Sequence, residues 1–532
     1  MHDRRFEAAL PSHLRGAARA ILATGLLLAL AGVSQASPIQ FLSVGDPIER
    51  ELRILDLYPD SATAGRIRLP HLFTRPLEIR EIQGNAPPPI SPPAVVARSL
   101  ARIERVLGRD PREGFLPDPA HAATPRLLTY GTPGQALELS AGIEGVAEAD
   151  RDTAIARSGS GLHLRAALAV DHWLVYSHLV VGKFDQARSF SDPVIANTDV
   201  TTLTEESYVE YSGGDALWDA QLGRNRWHWG PGDEGSLILS RTSAPLTGMA
   251  FRARVAKLDL DAIALNATLD AASGEQLAAH RLEWRPLQRL RLGLTEAARY
   301  HATGWSPLYV VGVIPYVLVQ RLEVQDQPDS SDALRNNILF GCDAAWRVAD
   351  GTRIYGELAV DDLHSKTSKN PDKLAWQLGW EGAGMIANQR LAWGGEITRV
   401  WRYVYTSYFG RTYEAQGRPI GFPTGPDSRR VRLHVDWDPS TEWQFSARAA
   451  ATDQGEGTLA DSFVPGSPDV DASKFLGVVE RTRETELGAR FWPEGGVDVG
   501  LTGGYRWIDN AAHLSGATHN GGYGRLEVRL TR

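Results

Sequence analysis

Arg353, Tyr355, Glu357 and Asp361 fall on one parity of the chain, and in an extended segment residues of one parity share a face. Two carboxylates on one face are the minimum equipment for acid and base attack on a glycosidic bond. A plainer role fits as well: a network of charges that bridges neighbouring strands. Arg281 and Glu283 repeat the arrangement elsewhere. Glu296 shares its parity with Leu290, Leu292 and Leu294, so an inward role for it needs a bulge or a strand end near Gly293. Trp227, His228 and Trp229 precede Gly230-Pro231-Gly232. Indole faces stack on sugar rings, but the Gly/Pro-rich corner is read first as structural, with its indoles packed inward. The segment from Tyr405 to Asp427 gathers Tyr405, Tyr408, Phe409, Tyr413 and Phe422 beside Arg411 and Arg418. Aromatics with arginines suit an acidic, sugar-rich polymer; they also suit a loop folded inward as packing, and both readings stay open. There is no phosphate-binding Gly loop, no HExxH and no Ser/His/Asp constellation. Cys342 is the only cysteine, which rules out an internal disulfide and a cysteine zinc cluster. No metal or cofactor is expected.

The elements that position these residues are strands. From about Leu127 to the C-terminus the apolar pattern has period two. Leu162, Leu164, Ala166, Leu168 and Val170 alternate with His163 and Arg165; Val431, Leu433, Val435 and Trp437 alternate with Arg430, Arg432, His434 and Asp436. Leu526, Val528 and Leu530 oppose Arg525, Glu527 and Arg529. One face is fully apolar and the other charged. A transmembrane barrel needs this, with lipid outside and a wet lumen inside. Trp284, Trp346, Trp437 and Trp507 lie near strand ends, where the lipid interface belongs. About eighteen to twenty strands of roughly ten residues are predicted. Tight turns such as Asp438-Pro439-Ser440 alternate with long connections at 182–205, 301–335, 406–428 and 453–483. Barrels of this type put short turns in the periplasm and long loops outside.

Residues 1–36 read as an export signal: Arg4, Arg5, Arg15 and Arg19, an apolar run from Ala20 to Val33, then Ser34-Gln35-Ala36. With it go four basic and two acidic residues, so the net charge of −8 becomes about −10. That balance argues against nucleic-acid binding. Residues 37–120 read as a small packed helical bundle. Asp46-Pro47-Ile48-Glu49 is a helix start with cap, proline and acidic first turn. Ile48, Leu52 and Leu55 share one face of that helix; Val96, Leu100, Ile103 and Leu107 share one face of a second. A Pro-rich break from Asn85 to Pro93 separates them. The barrel takes residues 121–532, and the two cores are expected to be separable.

Several segments together are similar to the capsule-assembly outer-membrane family of the Wzi type. They run from Gly223 to Gly232 with Gly235–Ser240, then His280–Trp284, Gly293–Ala297, Tyr355–Asp362 and Gly417–Gly421 with Gly425-Pro426-Asp427. The resemblance covers nearly the whole mature chain. It implies an eighteen-stranded outer-membrane barrel with a periplasmic helical domain. It also implies a lectin-like role in binding or organising capsular polysaccharide at the cell surface, not an enzyme activity. Implied partners are that polysaccharide, outer-membrane lipid and, through the periplasmic helices, polysaccharide export machinery. A diffusion porin and an outer-membrane glycan or lipid hydrolase are the alternatives. Two departures stand out: the family's tryptophan pair is normally adjacent, whereas His228 separates Trp227 from Trp229, and the chain ends Leu530-Thr531-Arg532 without the usual terminal aromatic. The expected polysaccharide contacts are Trp227, Trp229, Tyr405, Tyr408, Phe409, Arg411, Tyr413 and Arg418. The expected lumen network is Arg281, Glu283, Arg353, Tyr355, Glu357 and Asp361.

Overall fold

The computed structural model describes residues 41–531 apart from 59–68, 70, 79–92, 108–126, 133–134, 151–154, 185–197, 199, 214–216, 303, 325–335, 364–370, 465–467, 469 and 494–495. The expected export signal and the Pro-rich break before Pro93 lie outside the described residues.

Eighteen antiparallel strands close into one barrel among the described residues. In chain order they are β1 (Gln135–Asp150), β2 (Ile155–Val170), β3 (Trp173–Phe184), β4 (Thr201–Gly213), β5 (Trp218–Asn225) and β6 (Leu246–Val255). There follow β7 (Leu260–Asp270), β8 (Glu275–Leu287), β9 (Leu290–His301), β10 (Asn337–Ala349), β11 (Thr352–Asp362) and β12 (Lys373–Ile386). The last six are β13 (Gln389–Val400), β14 (Ser428–Asp438), β15 (Trp443–Gln454), β16 (Glu480–Phe491), β17 (Val497–Asp509) and β18 (Thr518–Thr531). Closure is made by β18 on β1, with Tyr523 opposite Asp150 and Thr531 opposite Gly142. A short strand, Leu128–Thr132, doubles back on the start of β1. Closure is what a hydrocarbon layer demands, because an open sheet edge there would leave backbone groups without partners.

The period-two pattern sorts the two faces. Leu282, Leu294, Leu358 and Leu378 are exposed on the outside, where lipid would cover them, while Arg281, Glu283, Arg353 and Glu357 are buried on the inside. One end carries only short turns, such as residues 288–289, 350–351 and 387–388. Trp284, Trp346 and Trp437 sit in the strands just before such turns. The other end carries every long loop. Against the sequence pattern, the first and last of these loops shorten to 185–200 and 455–479 because their flanking strands run further, the second keeps its length at 302–336, and the third lengthens to 401–427 because β13 stops at Val400.

Two helices stand at the short-turn end: α1 (Pro47–Asp56) and α2 (Ala94–Leu107). The Asp46 carboxylate accepts a hydrogen bond from the Ile48 amide at 2.8 Å and Pro47 opens the helix. Ile48, Leu52 and Leu55 pack on Val96, Leu100 and Ile103, but the same cluster includes Ala345, Tyr355, Ala383 and Ala392 of the barrel wall. The two helices and the barrel wall thus share one buried cluster. The apolar stripe of α1 packs against both α2 and the barrel wall, and its charged residues Glu49, Glu51, Arg53 and Asp56 are buried as well.

Two further helices lie in the loop after β9: α3 (Pro307–Val310) and α4 (Tyr316–Val324).

Candidate functional site

The lumen is filled from both ends, and the filling is ionic. From below, α1 enters with Glu51 and Asp56. Glu51 accepts two hydrogen bonds from Arg390, at 2.6 and 2.8 Å, and one from Arg102 at 3.2 Å. Burial alone would raise the Glu51 carboxyl, but Arg390, Arg50 and Arg102 outweigh it and hold it down to about 2. Asp56 pairs with Arg291 at 2.6 Å and with Arg353, and those guanidiniums likewise overcome burial and hold it down to about 2. Arg53 donates to Glu381 at 2.8 Å and to the carbonyl of Pro231 at 2.9 Å. Behind α1, Thr74 donates its hydroxyl to Glu283 at 2.7 Å, and Arg281 reaches Thr74 at 2.9 Å and Asp343 at 2.6 Å.

From above, the loop between β5 and β6 descends until it meets the N-terminal segment. His228 and Trp229 pair as a short strand with Arg75 and Thr74. Trp227 and Trp229 meet edge to face, 6.2 Å between centroids, and both are buried. His228 is enclosed, and burial together with Arg75, Arg241 and Arg53 holds its imidazole well below the usual value. The geometry agrees with a neutral ring: Nε2 donates to the Gly232 carbonyl at 3.1 Å and Nδ1 accepts from the Arg241 amide at 3.2 Å. Glu357 takes the Ser236 hydroxyl at 2.8 Å and the Leu237 amide at 2.9 Å. Asp233 pairs with Arg432 at 2.8 Å. Against the pull of burial, Arg432, Arg241 and Arg53 hold the Asp233 carboxyl well below its usual range.

The loop between β13 and β14 closes over that one. Tyr405 donates its hydroxyl to the Leu237 carbonyl at 2.6 Å and accepts the Phe422 amide at 3.1 Å; its own amide donates to Asp361 at 2.6 Å. Tyr405, Tyr413, Ile420 and Phe422 join Trp227, Trp229 and Leu237–Leu239 in one buried cluster. Asp427 then accepts amides of Gly457 and Leu476, tethering the next loop.

These contacts divide the expected polysaccharide residues. Trp227, Trp229, Tyr405, Arg411 and Tyr413 are buried in the plug and cannot meet a polymer outside. Arg411 donates instead to Asn336 at 2.9 Å. Tyr408 and Phe409 are about half exposed, at 51% and 53%, with their rings edge to face at 5.2 Å. Arg418 is exposed on the small hairpin Glu414–Ala415 and Arg418–Pro419, whose tip residues Gln416 and Gly417 take positive φ. The six expected network residues all face the lumen. Tyr355 donates to Glu396 at 2.8 Å, and Arg353 bonds Asp56 and Glu381. Glu357 and Asp361 each receive a backbone amide of a plugging loop. Sequence reasoning missed Glu51, Asp56, Asp233, Arg390, Glu396 and Asp438. The only signal for them was parity or a helix face, and for Asp233, in the loop between β5 and β6, there was neither.

The far wall is different. Between α1 and the strands β14–β18 and β1–β4 lies a polar cavity of about 930 Å³, lined by Arg165, Glu206, Arg432, Arg448, Arg490 and Glu527 among others.

An eighteen-stranded barrel with an apolar outside and a lumen stitched shut by loops and a helix defines a class: a plugged barrel of an outer membrane. The chain belongs to the capsule assembly protein Wzi family, whose model matches residues 126–521. One similar solved structure is described as Wzi, an outer membrane protein involved in group 1 capsule assembly in Escherichia coli and a carbohydrate-binding β-barrel. It is 14% identical, with a TM-score of 0.59, and covers 92% of this chain and 99% of that one. OprD of Pseudomonas aeruginosa is 9% identical, with a TM-score of 0.43, covering 74% of this chain and 95% of its own. OpdK of Pseudomonas aeruginosa with vanillate is 12% identical, with a TM-score of 0.43, covering 74% and 98%. None of the curated proteins matches the chain in sequence.

Proposed function

We propose that this barrel holds or organises capsular polysaccharide at the cell surface, and that it does so by binding, without catalysis. One observation carries the reading: two long loops are spent on sealing the lumen, and the aromatic and basic side chains they leave outside are Tyr408, Phe409 and Arg418. A diffusion porin has no use for a Trp-centred plug fixed to the N-terminal segment. A hydrolase needs reachable carboxylates, and Glu357 and Asp361 are engaged with loop amides. The periplasmic part of the assembly, residues 37–120, would face the export machinery through α2, which turns Ala94, Ala97 and Ala101 to solvent.

The test is the amount of cell-bound against shed polysaccharide at matched barrel levels. Replacing Tyr408, Phe409 and Arg418 with alanine should release polymer. Aromatic contacts of this kind contribute on the order of 1 kcal/mol each, and a multivalent attachment loses their product. Wild-type retention in that variant would end the assignment. Replacing Glu357 and Asp361 with Gln and Asn should lower barrel stability and leave attachment intact.

A further inference from the structure

The loop after β9 behaves unlike the two that seal the lumen: it turns outward and lies down against the outside of the wall. On β9 the residues Leu290, Leu292, Leu294, Glu296, Ala298 and Tyr300 share the outward face, while Thr295 and Ala297 face in. Glu296 is thus a carboxylate on the lipid side, and the loop satisfies it. It accepts the Tyr316 amide at 2.9 Å and the Val317 amide at 3.3 Å at the start of α4, and His280 Nε2 lies 3.1 Å away. Tyr309 of α3 lies flat on Tyr300, 4.1 Å between centroids with planes 8° apart. Tyr309, Tyr316 and Val319 bury Ala278 and Ala298 of the outer wall. Gly312 permits the close approach. It takes a positive φ of 61°, and a Cβ there would stand 2.8 Å from the Ala264 methyl.

The other side of this segment is uncovered and mostly apolar, with Arg321 the charged residue among it. Val311, Val313, Val317, Leu318 and Leu322 are all exposed, Val313 by 79%. A membrane strand needs about 9–11 residues to cross. Counted up from Leu290, beside the two-residue turn, that length ends near Ala298 and Tyr300. The segment therefore sits at the top of the hydrocarbon layer, not above it. Phe251, Leu282, Leu294 and Phe340 of the apolar girdle and Val313 and Val317 of the loop line one groove of about 1430 Å³, whose upper end reaches Tyr408 and Phe409.

We infer that residues 307–322 form a lipid-seated brace, in which Val311, Val313, Val317, Leu318 and Leu322 insert among the acyl chains of the outer leaflet. The occupant is lipid because the patch shares one groove with Phe251, Leu282, Leu294 and Phe340 of the girdle, and Arg321, the charged residue on this exposed side, has a stem long enough to carry its guanidinium to the headgroups. The inference rests on the outer wall alone and is independent of the polysaccharide reading.

The test uses the full chain in vesicles of phosphatidylethanolamine and phosphatidylglycerol. In a Cys342→Ser background, nitroxides are placed through Val313→Cys, Leu318→Cys or Leu322→Cys, with Leu294→Cys as the lipid-facing reference and Gln416→Cys as the aqueous one. Collision with oxygen should exceed collision with a soluble nickel chelate, as at the lipid reference. Nickel-dominated collision like that at 416 overturns the inference. Dipolar broadening between copies also overturns it, assigning the patch to a contact between chains. The unmodified protein gives a second reading in intact cells treated with trypsin. Cutting is expected at Lys474, whose side chain is 79% exposed on an outer loop, and not at Arg321. Cutting at Arg321 sinks the proposal.

Discussion

Arg390 shows how much one buried guanidinium can hold together. It is fully buried and donates to both oxygens of Glu51, to the Ser99 hydroxyl at 2.7 Å and to Asp438 at 2.8 Å. One side chain thereby joins α1, α2 and two strands. Removing one partner of such a set leaves the others charged and dry, which costs about 3–5 kcal/mol. Arg390→Met should therefore lower the temperature at which the compact, heat-modifiable form is lost. Arg390→Met combined with Glu51→Gln should recover part of that loss, because the orphaned charge goes with it. An Arg390→Met variant that melts like wild type would show the cluster to be idle. Glu51 and Asp56 add a pH dependence. Both carboxyls are held down to about 2 in the folded protein, below their ordinary values near 4. A depressed folded value means that the stabilisation is complete above the unfolded value and is lost as pH falls through the folded one. Docking of α1 should thus hold at neutral pH and weaken between about pH 4 and pH 2. Pepsin cleavage at Leu52 and Leu55 across that range reads it directly, and cleavage that does not change with pH would count against it.

At the scale of elements, Tyr413 and Trp229 belong to the plug, so their loss should open it. Trp229→Ala creates a large cavity at a fully buried position and should cost about 3–5 kcal/mol. The expected readout is a lower melting temperature with attachment of polysaccharide unchanged in the cells that still carry the barrel. Shedding without destabilisation would instead return the tryptophan to a binding role. How much of this was legible follows from what periodicity can express. Alternation over Leu162–Val170, Val431–Trp437 and Leu526–Leu530 gave strands, two faces and a barrel, because side-chain direction along a strand is a local property. The start of α1 was legible for the same reason: cap, proline and acidic turn lie within four residues. Parity separates inward from outward residues and is silent on what meets them. The partners of Asp56 and Glu51 are set by topology over hundreds of residues, and no local pattern encodes them. Glu296 is the instructive case. Its parity matched the leucines and was right; what the sequence could not show was a helix start brought round from outside to receive it. The segment that receives it is equally revealing: a Gly312→Leu change should lift the brace, and faster exchange of the 309–319 amides would report the release.

For the molecule as a whole, the lumen has one dry wall and one wet wall. The plug is bonded to β8–β14, whereas Arg448 on β15 and Arg525 on β18 keep 44% and 40% of their side chains exposed inside. Deleting 401–427 should let the plug loosen along the dry wall and join the existing polar cavity to the outside. Conductance in planar bilayers should rise several-fold over that of the intact chain; an unchanged trace would mean that the seal lies elsewhere. The same bonding pattern fixes an order of events. The groups that secure α1 are supplied 235 residues further along by Arg291 and as much as 388 further along by Asp438. A segment whose partners lie so far downstream cannot settle until the strands bearing them have been laid into the wall, since loop closure has to precede the contact that rewards it. Residues near the start of the chain are thus the last to find their places, and barrel assembly must keep the early helix waiting, soluble and unengaged, until the circle is almost complete.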